Sequence, residues 1–309
     1  MTFAELNLLP ELIDGVDSMG YRNATPIQEK VIPAILEGRD VIASAQTGTG
    51  KTAAFLLPLI HKIITGPPSN KIKAIVIVPT RELAVQIDQQ MEGLSYFTPI
   101  SSIAVYGGGD GSLFERERQA MKAGVDIVIC TPGRMISHLN MKYIDFSALQ
   151  FLVLDEADRM LDMGFSDDIH KMISFLPAKK QSLLFSATMP NKIRTLARKI
   201  LHDPLEVNIS VSKPNENIQQ EVFMVNGNQK IPLVKYLLAL HNFRSVIVFC
   251  STKNSVKQLS RELRRTNLKI DEIHSELEQK QREEVLMRFK NRELNVLVAT
   301  DILSRGIDI

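Results

Sequence analysis

The sequence predicts an α/β protein with two parallel sheets in tandem, the second incomplete. Three observations carry this. Short, nearly continuous apolar and β-branched runs recur along the chain, as strands buried on both faces should read. Longer amphipathic stretches separate them, and such strand–helix alternation means a parallel sheet covered by helices. A polar stretch over residues 208–220, with Ser210, Ser212, Lys213, Pro214, Asn215 and Asn217, then precedes a second, shorter series. It reads as a linker between a unit at 1–207 and a unit at 221–309. A chain of 309 residues is long enough for two domains.

In the first unit, apolar runs predict strands at 41–43, 74–78, 103–105, 126–130, 151–154 and 182–185. Apolar spacing near 3.6 predicts helices over 81–90, 113–123 and 193–201, and a further helix follows the segment from Gly20 to Gln28. In the second, strands are expected at 221–225, 245–250, 269–273 and 295–299, and helices at 231–240, 255–266 and 279–291. Its sheet is expected to keep an unpaired apolar edge, leaving this unit mobile or aggregation-prone and the 212–217 stretch open to proteolysis.

With 44% hydrophobic and 23% charged residues, general disorder is excluded. A net charge of +2 does not mark a nucleic-acid binder by itself, so any such contact must come from local placement of Lys, Arg and backbone N–H groups. Cys130 and Cys250 each end an apolar run and read as small buried hydrophobes in a reducing, cytoplasmic compartment. Residues 1–5 lack the basic and apolar pattern of a signal peptide, and no run approaches membrane-spanning length. The six histidines are scattered and suggest no metal site. Glu115-Arg116-Glu117-Arg118 reads as a solvated helix face, and Met160 and Met163 as core filling.

The chemistry sits in two segments. Ala45-Gln46-Thr47-Gly48-Thr49-Gly50-Lys51-Thr52 lies between an expected strand and an expected helix, the context of a phosphate-binding loop. Glycines let backbone N–H groups approach phosphate oxygens, and the helix N-terminus adds favourable partial charge. Lys51 is assigned to the β- and γ-phosphates and Thr52 to Mg²⁺. Ala45 stands where such loops usually have glycine. Asp155 and Glu156 follow the run Phe151-Leu152-Val153-Leu154, at a strand end where α/β sheets bind ligands. Adjacent carboxylates there repel, and a cation compensates: Asp155 is expected to hold Mg²⁺ and Glu156 to orient or deprotonate the attacking water. Gln28 offers a donor and an acceptor that can pair with adenine, with Tyr21 as a stacking face and Phe3 supporting it.

At this point the motifs resemble a family. Asp155-Glu156-Ala157-Asp158 stands intact, Thr25-Pro26-Ile27-Gln28 is similar to an adenine-reading Q motif, and other motifs follow in order. The chain resembles DEAD-box RNA helicases of superfamily 2, most of all the bacterial RhlE-like group, over essentially its whole length. The resemblance implies two RecA-like domains, ATP and Mg²⁺ as cofactors, ATP hydrolysis coupled to local RNA strand separation or RNA–protein remodelling, and a monomer. It assigns Pro79, Thr80, Arg81, Gly107, Gly108, Thr131, Pro132, Gly133 and Arg134 to RNA in the first domain, and Thr300 and Gly306 in the second. Arg81 and Arg134 are expected to add charge-assisted contacts. Ser186 and Thr188 are implied to couple hydrolysis to RNA binding, and Asp308 to reach the nucleotide. His274-Ser275-Glu276 has Glu276 where aspartate is usual. RNA is expected to be gripped without sequence preference, across both domains, near the rim opposite the nucleotide. The block that supplies arginine fingers in the family is not found before Ile309, so this polypeptide is expected to turn ATP over poorly. An ATP-dependent RNA clamp that does not unwind is the alternative.

Overall fold

The computed structural model describes residues 1–46, 48–108, 111–209, 218–241 and 243–300. They divide into two units, Met1–Asn215 and Glu216–Ile309. Each is a parallel-sheet α/β unit, as the alternation in the sequence predicts.

The first unit runs α1 (Pro10–Ser18), α2 (Pro26–Leu36), β1 (Val41–Ser44), α3 (Lys51–Thr65), β2 (Ala74–Ile77), α4 (Arg81–Leu94), β3 (Ser102–Val105) and α5 (Gly111–Ala123). It continues with β4 (Ile127–Cys130), α6 (Pro132–Asn140), β5 (Phe151–Leu154), α7 (Ala157–Asp162), α8 (Ser166–Ser174), β6 (Gln181–Ser186), α9 (Asn191–Ile200) and β7 (Leu205–Asn208). The seven strands lie in the order β3-β4-β2-β5-β6-β1-β7, every pair parallel. Strands β2, β4 and β5 are buried at every position, because helices cover both faces. Successive side chains of a strand point to opposite faces. Val76, Ile129 and Val153 therefore pack with α1 to α4, whereas Ile75, Ile77, Val128 and Leu152 pack with α5 to α9. Cys130 and Met160 belong to the second layer; Met163 is half-buried.

Strand β7 was not foreseen. It is an edge strand beside β1 with only Val207 buried, so its sequence carries little apolar signal. Asn208, read as linker, closes this strand opposite Ser44.

The second unit comprises α10 (Lys230–Leu240), β8 (Val246–Cys250), α11 (Lys253–Leu263), β9 (Ile270–Ile273), α12 (Gln279–Lys290) and β10 (Val296–Thr300). Its sheet has the order β8-β10-β9, with β10 central and fully buried. The strand expected at 221–225 is not formed: these residues pair with no described strand, and Val222 and Met224 are 87% and 93% exposed. An extended segment without a ladder partner leaves its N–H and C=O groups to water, so β-branched content alone does not make a strand. Cys250 is half-buried, against the fully buried site expected.

Candidate active site

Because every strand of the first sheet is parallel, the segments that follow the strands all emerge at one rim. The strand order divides that rim in two. Segments after β5, β6 and β1 make one half, and segments after β3, β4 and β2 make the other. The first half carries the residues assigned to nucleotide and the second those assigned to RNA in this unit. The expected placement of the RNA residues near the opposite rim is therefore corrected: residues directly following parallel strands share one rim.

In the nucleotide half, Gly48 and Gly50 adopt left-handed φ values of 78° and 89°, which cost glycine little. Gly50 caps α3, placing Lys51 and Thr52 in the first helical turn. Lys51 is 6% exposed, and its Nζ donates to the Ala45 carbonyl at 2.9 Å. Thr49 Oγ1 donates to the Gln46 carbonyl at 2.8 Å. Thr47 lies outside the described residues.

Gln28 is buried beside this loop. Its Oε1 accepts from Thr25 N at 2.8 Å, and its Nε2 donates to the Gly50 carbonyl at 3.1 Å. One amide hydrogen and one lone pair stay in reserve, which is what pairing with an adenine edge requires. A Cβ on Gly50 would fall 2.5 Å from Gln28 Nε2, so close approach and backbone sign both demand glycine there. Phe3 is buried and stacks on Tyr21 with ring centroids 6.5 Å apart.

Across β6, Asp155 is 2% exposed at the end of β5. Burial pushes its pKa up to about 6; Lys51 opposes the rise and Glu156 adds to it. Lys51 and Asp155 thus lie close enough to act on each other electrostatically, which sets the glycine turn before α3 beside the acidic strand end. Asp155 Oδ1 accepts from Glu156 N at 2.9 Å. Glu156 has a left-handed φ of 51°, uncommon for a residue with a side chain, and its carboxylate accepts from the Arg159 guanidinium. A hard divalent cation fits this donor set. Thr52, in the first turn of α3, and Asp155, at the end of β5, would supply oxygens. Mg²⁺ is typically held in this way, by one or two carboxylates together with phosphates and water. The buried carboxylate of Asp155, whose charge is penalised, is the group a cation would relieve.

Ser186 and Thr188 meet the acidic motif through Asp158, a residue the sequence reading left without a role. Thr188 donates to Asp158 Oδ2 through N at 2.9 Å and Oγ1 at 2.7 Å. Ser186 Oγ accepts from Asp158 N at 3.2 Å and donates to the Thr188 carbonyl at 2.8 Å. Burial alone would raise the Asp158 pKa, but the bonds from Thr188 and Ser186 outweigh it, and the net shift is downward. The last letter of the four-residue motif was the available signal.

The other half of the rim is built from backbone. Strands β2 and β4 are neighbours, so helices α4 and α6 start side by side. Thr80 caps α4 and its hydroxyl accepts from Leu83 N at 3.3 Å; Pro79 precedes it. Thr131 caps α6, with Pro132 in its first turn. Adjacent helix N-termini favour anions. A Cβ on Gly133 would meet nothing, leaving that backbone approachable. Gly107 and Gly108 follow β3, and Gly108 has φ 100°. A Cβ on Gly108 would fall 1.8 Å from Arg81 Nη1, so this glycine also makes room for Arg81.

Arg134 departs from expectation. Its Nε donates to Glu117 Oε2 at 2.7 Å and its guanidinium lies over the Phe114 ring at 4.5 Å. Glu117, read as part of a solvated face, is 1% exposed. The signal was helical spacing: on α5, Phe114, Glu117 and Met121 fall on one stripe, and Met121 is core.

In the second unit, Thr300 closes β10, and its buried Oγ1 has no partner among the described residues. Thr252 caps α11 after β8. His274 is buried after β9. Gly306 and Asp308 lie outside the described residues. No described helix is long and apolar enough to cross a membrane.

Comparison with known proteins bears on this arrangement. The model of the DEAD/DEAH box helicase family matches residues 25–196, and that of the helicase conserved C-terminal domain matches residues 229–309. The chain is similar to the ATP-dependent RNA helicase CshA of Listeria monocytogenes, at 43% identity over 99% of this chain and 58% of that protein. It is similar to the DEAD-box ATP-dependent RNA helicase RhpA of Helicobacter pylori, at 41% identity over 100% of this chain and 62% of that protein. The chain thus spans about three fifths of the length of these relatives. Among solved structures it is similar to S. cerevisiae Dbp5 bound to RNA and ADP BeF3, with TM-score 0.87 and 30% identity over 100% of this chain and 78% of that one. A DEAD box protein from Methanococcus jannaschii matches with TM-score 0.64 and 38% identity, over 100% of this chain and 82% of that one.

Proposed function

Since the chain belongs to the DEAD/DEAH box helicase family, we propose that it is an ATP-dependent RNA helicase, hydrolysing ATP to separate short RNA duplexes or remodel RNA–protein particles. The observation that carries this reading is the divided rim. One half gathers Lys51, Asp155 and Glu156 around a glycine-lined loop, and the adjoining half offers helix N-termini and glycines to a polyanion.

In this reading Gln28 pairs with the adenine edge while Tyr21, braced by Phe3, gives it an apolar face. Backbone N–H groups of Thr47, Gly48, Thr49 and Gly50 cradle the phosphates. Lys51 leaves the Ala45 carbonyl for phosphate oxygens, exchanging a neutral acceptor for a charged one. Thr52 and Asp155 would hold Mg²⁺, which would supply neutralisation of charge developing on the phosphates. Glu156 orients the attacking water and takes its proton. Asp308 is assigned to the nucleotide as well.

RNA lies along Pro79, Thr80, Arg81, Gly107, Gly108, Thr131, Pro132 and Gly133, with Thr300 and Gly306 contributing from the second unit. Contacts of this kind grip phosphate and sugar, so binding is independent of base sequence, and the 2′-hydroxyl distinguishes RNA from DNA. Arg134 serves from within the fold. The Ser186–Thr188–Asp158 bonds tie the segment after β6 to the acidic motif within the nucleotide half, and this segment is assigned to coupling hydrolysis to RNA binding.

The test, made on the full-length protein, is ATP hydrolysis with and without single-stranded RNA, together with release of a labelled strand from a short duplex. Hydrolysis stimulated by RNA and accompanied by strand release is expected. Hydrolysis that DNA stimulates equally, or RNA binding with no strand release, would overturn the helicase assignment.

A further inference from the structure

A buried polar network links α5 to α6 behind the proposed RNA loop. Glu117 Oε2 accepts from Arg134 Nε at 2.7 Å and is 2.9 Å from His138 Nε2. A carboxylate oxygen accepts, so Nε2 carries the proton in this pairing. His138 Nδ1 is then free to accept from the Tyr143 hydroxyl, whose pKa burial pushes up to about 12. The His138 ring stacks on Phe114 with centroids 4.0 Å apart, and Arg134 lies over the same ring. Phe114 and Glu117 belong to α5; Arg134 and His138 belong to α6. Arg118, which pairs with Glu115, brings a further guanidinium to this region.

The network is incompletely satisfied. Glu117 Oε1, Arg134 Nη2 and Arg118 Nε are buried without a hydrogen-bond partner among the described residues. Apolar packing stabilises a helix contact as well as or better than a buried ion pair, and partly satisfied buried networks are costly. Stability is therefore a poor reason for a carboxylate here. Position offers a better one, because Arg134 sits in the first turn of α6, directly after Thr131, Pro132 and Gly133.

We propose that Glu117 is a positioning residue for the RNA-backbone segment Thr131–Gly133: its carboxylate grips Arg134 and, with His138, fixes the N-terminal turn of α6 so that its backbone N–H groups are preset for phosphate. Arg134 is then a strut inside the fold and not a phosphate ligand. This rests on the reading that the segment contacts RNA, and the test separates the two.

The full-length protein is titrated with a fluorescein-labelled single-stranded oligouridine in the presence of a non-hydrolysable ATP analogue. The KM for ATP without RNA is measured in parallel. Glu117→Ala should weaken oligouridine binding about tenfold or more, since small displacements of a binding group carry such losses, and leave the KM for ATP unchanged. Glu117→Gln, which keeps an acceptor for Arg134, should fall between Glu117→Ala and wild type. Gly133→Pro removes one backbone N–H at an open position and should weaken oligouridine binding by itself. If Gly133→Pro weakens binding and the Glu117 variants do not, the positioning role is overturned while the RNA segment stands. If none of the variants changes binding, the RNA segment itself is wrong. A parallel loss in RNA and ATP affinity would mean that Glu117 supports the fold generally, and would also overturn the proposal. Should Glu117→Ala not fold, Glu117→Gln is judged by the same criteria.

Discussion

The two halves of the rim in the first unit do similar work with different materials. Around Lys51, Asp155 and Glu156 the protein uses charged side chains taken almost wholly out of water. Around Thr80, Gly108 and Thr131 it uses helix N-termini, hydroxyls and the space left by glycine. Buried charges act strongly and at fixed points, which suits one small ligand held in one pose. Backbone dipoles along a rim act on any phosphate presented at the right spacing, which suits a polymer whose sequence does not matter. Desolvation is the difference, and it predicts which half is expensive to alter.

The largest effect should follow Lys51→Ala. It removes a charge-assisted partner for phosphate and is expected to weaken ATP binding about a hundredfold. Titration with a fluorescent ATP analogue checks this, and unaltered affinity would break the assignment of this half. RNA binding without nucleotide should stay near wild type.

Asp155→Asn should then show that the buried charge costs stability. The folded-state pKa of Asp155 lies above its ordinary value, at about 6. Its contribution to stability is therefore full below pH about 4 and is lost as pH rises through about 6. Ligand-free Asp155→Asn should unfold at higher denaturant than wild type at pH 7.5, by on the order of 2 kcal/mol. That advantage should shrink as the pH falls below 6. A less stable variant at pH 7.5 would contradict the account.

Gly108→Val probes the other half. The added Cβ collides with Arg81 and sits at a left-handed φ, and RNA affinity should drop about tenfold by displacement of the binding groups. Anisotropy with labelled RNA measures this, and ATP binding should be untouched. Thr188→Val tests the coupling role assigned to the segment after β6 and should have the smallest effect. It removes the hydroxyl bond to Asp158 while the backbone bond remains. Separate affinities should hold, and RNA stimulation of hydrolysis should fall about fivefold. Stimulation equal to wild type would show that the halves communicate elsewhere.

What the sequence revealed follows the same division. Strands β2, β4 and β5 were legible because burial on both faces forces continuous apolar runs. The glycine turn before α3 and the carboxylates at the end of β5 stand where their motifs predict, because left-handed glycines and a strand-to-helix junction leave a distinct pattern. Edge structure was not. Strand β7 buries one residue in four, and the expected strand at 221–225 had the composition without a partner. Glu117 was misread because four alternating charges suggest a wet surface, whereas the apolar stripe through Phe114 and Met121 was the stronger cue. The pairing of Arg134 with Glu117 was missed for the same reason, since its partner was not recognised as buried. The sharing of one rim by both proposed ligand sites follows from parallel strands and was available in principle, once every motif was seen to follow a strand.

Concentrating recognition at the strand ends leaves the rim where the strands begin available for instrumentation. Tyr96 and Met141 lie there, after α4 and α6 have run back across the sheet, and both side chains are exposed. With half-buried Cys250 replaced by serine, a thiol placed at either position could be coupled to a dye while Cys130 stays sealed inside the sheet. Such a reporter would follow the first unit optically without competing with either ligand.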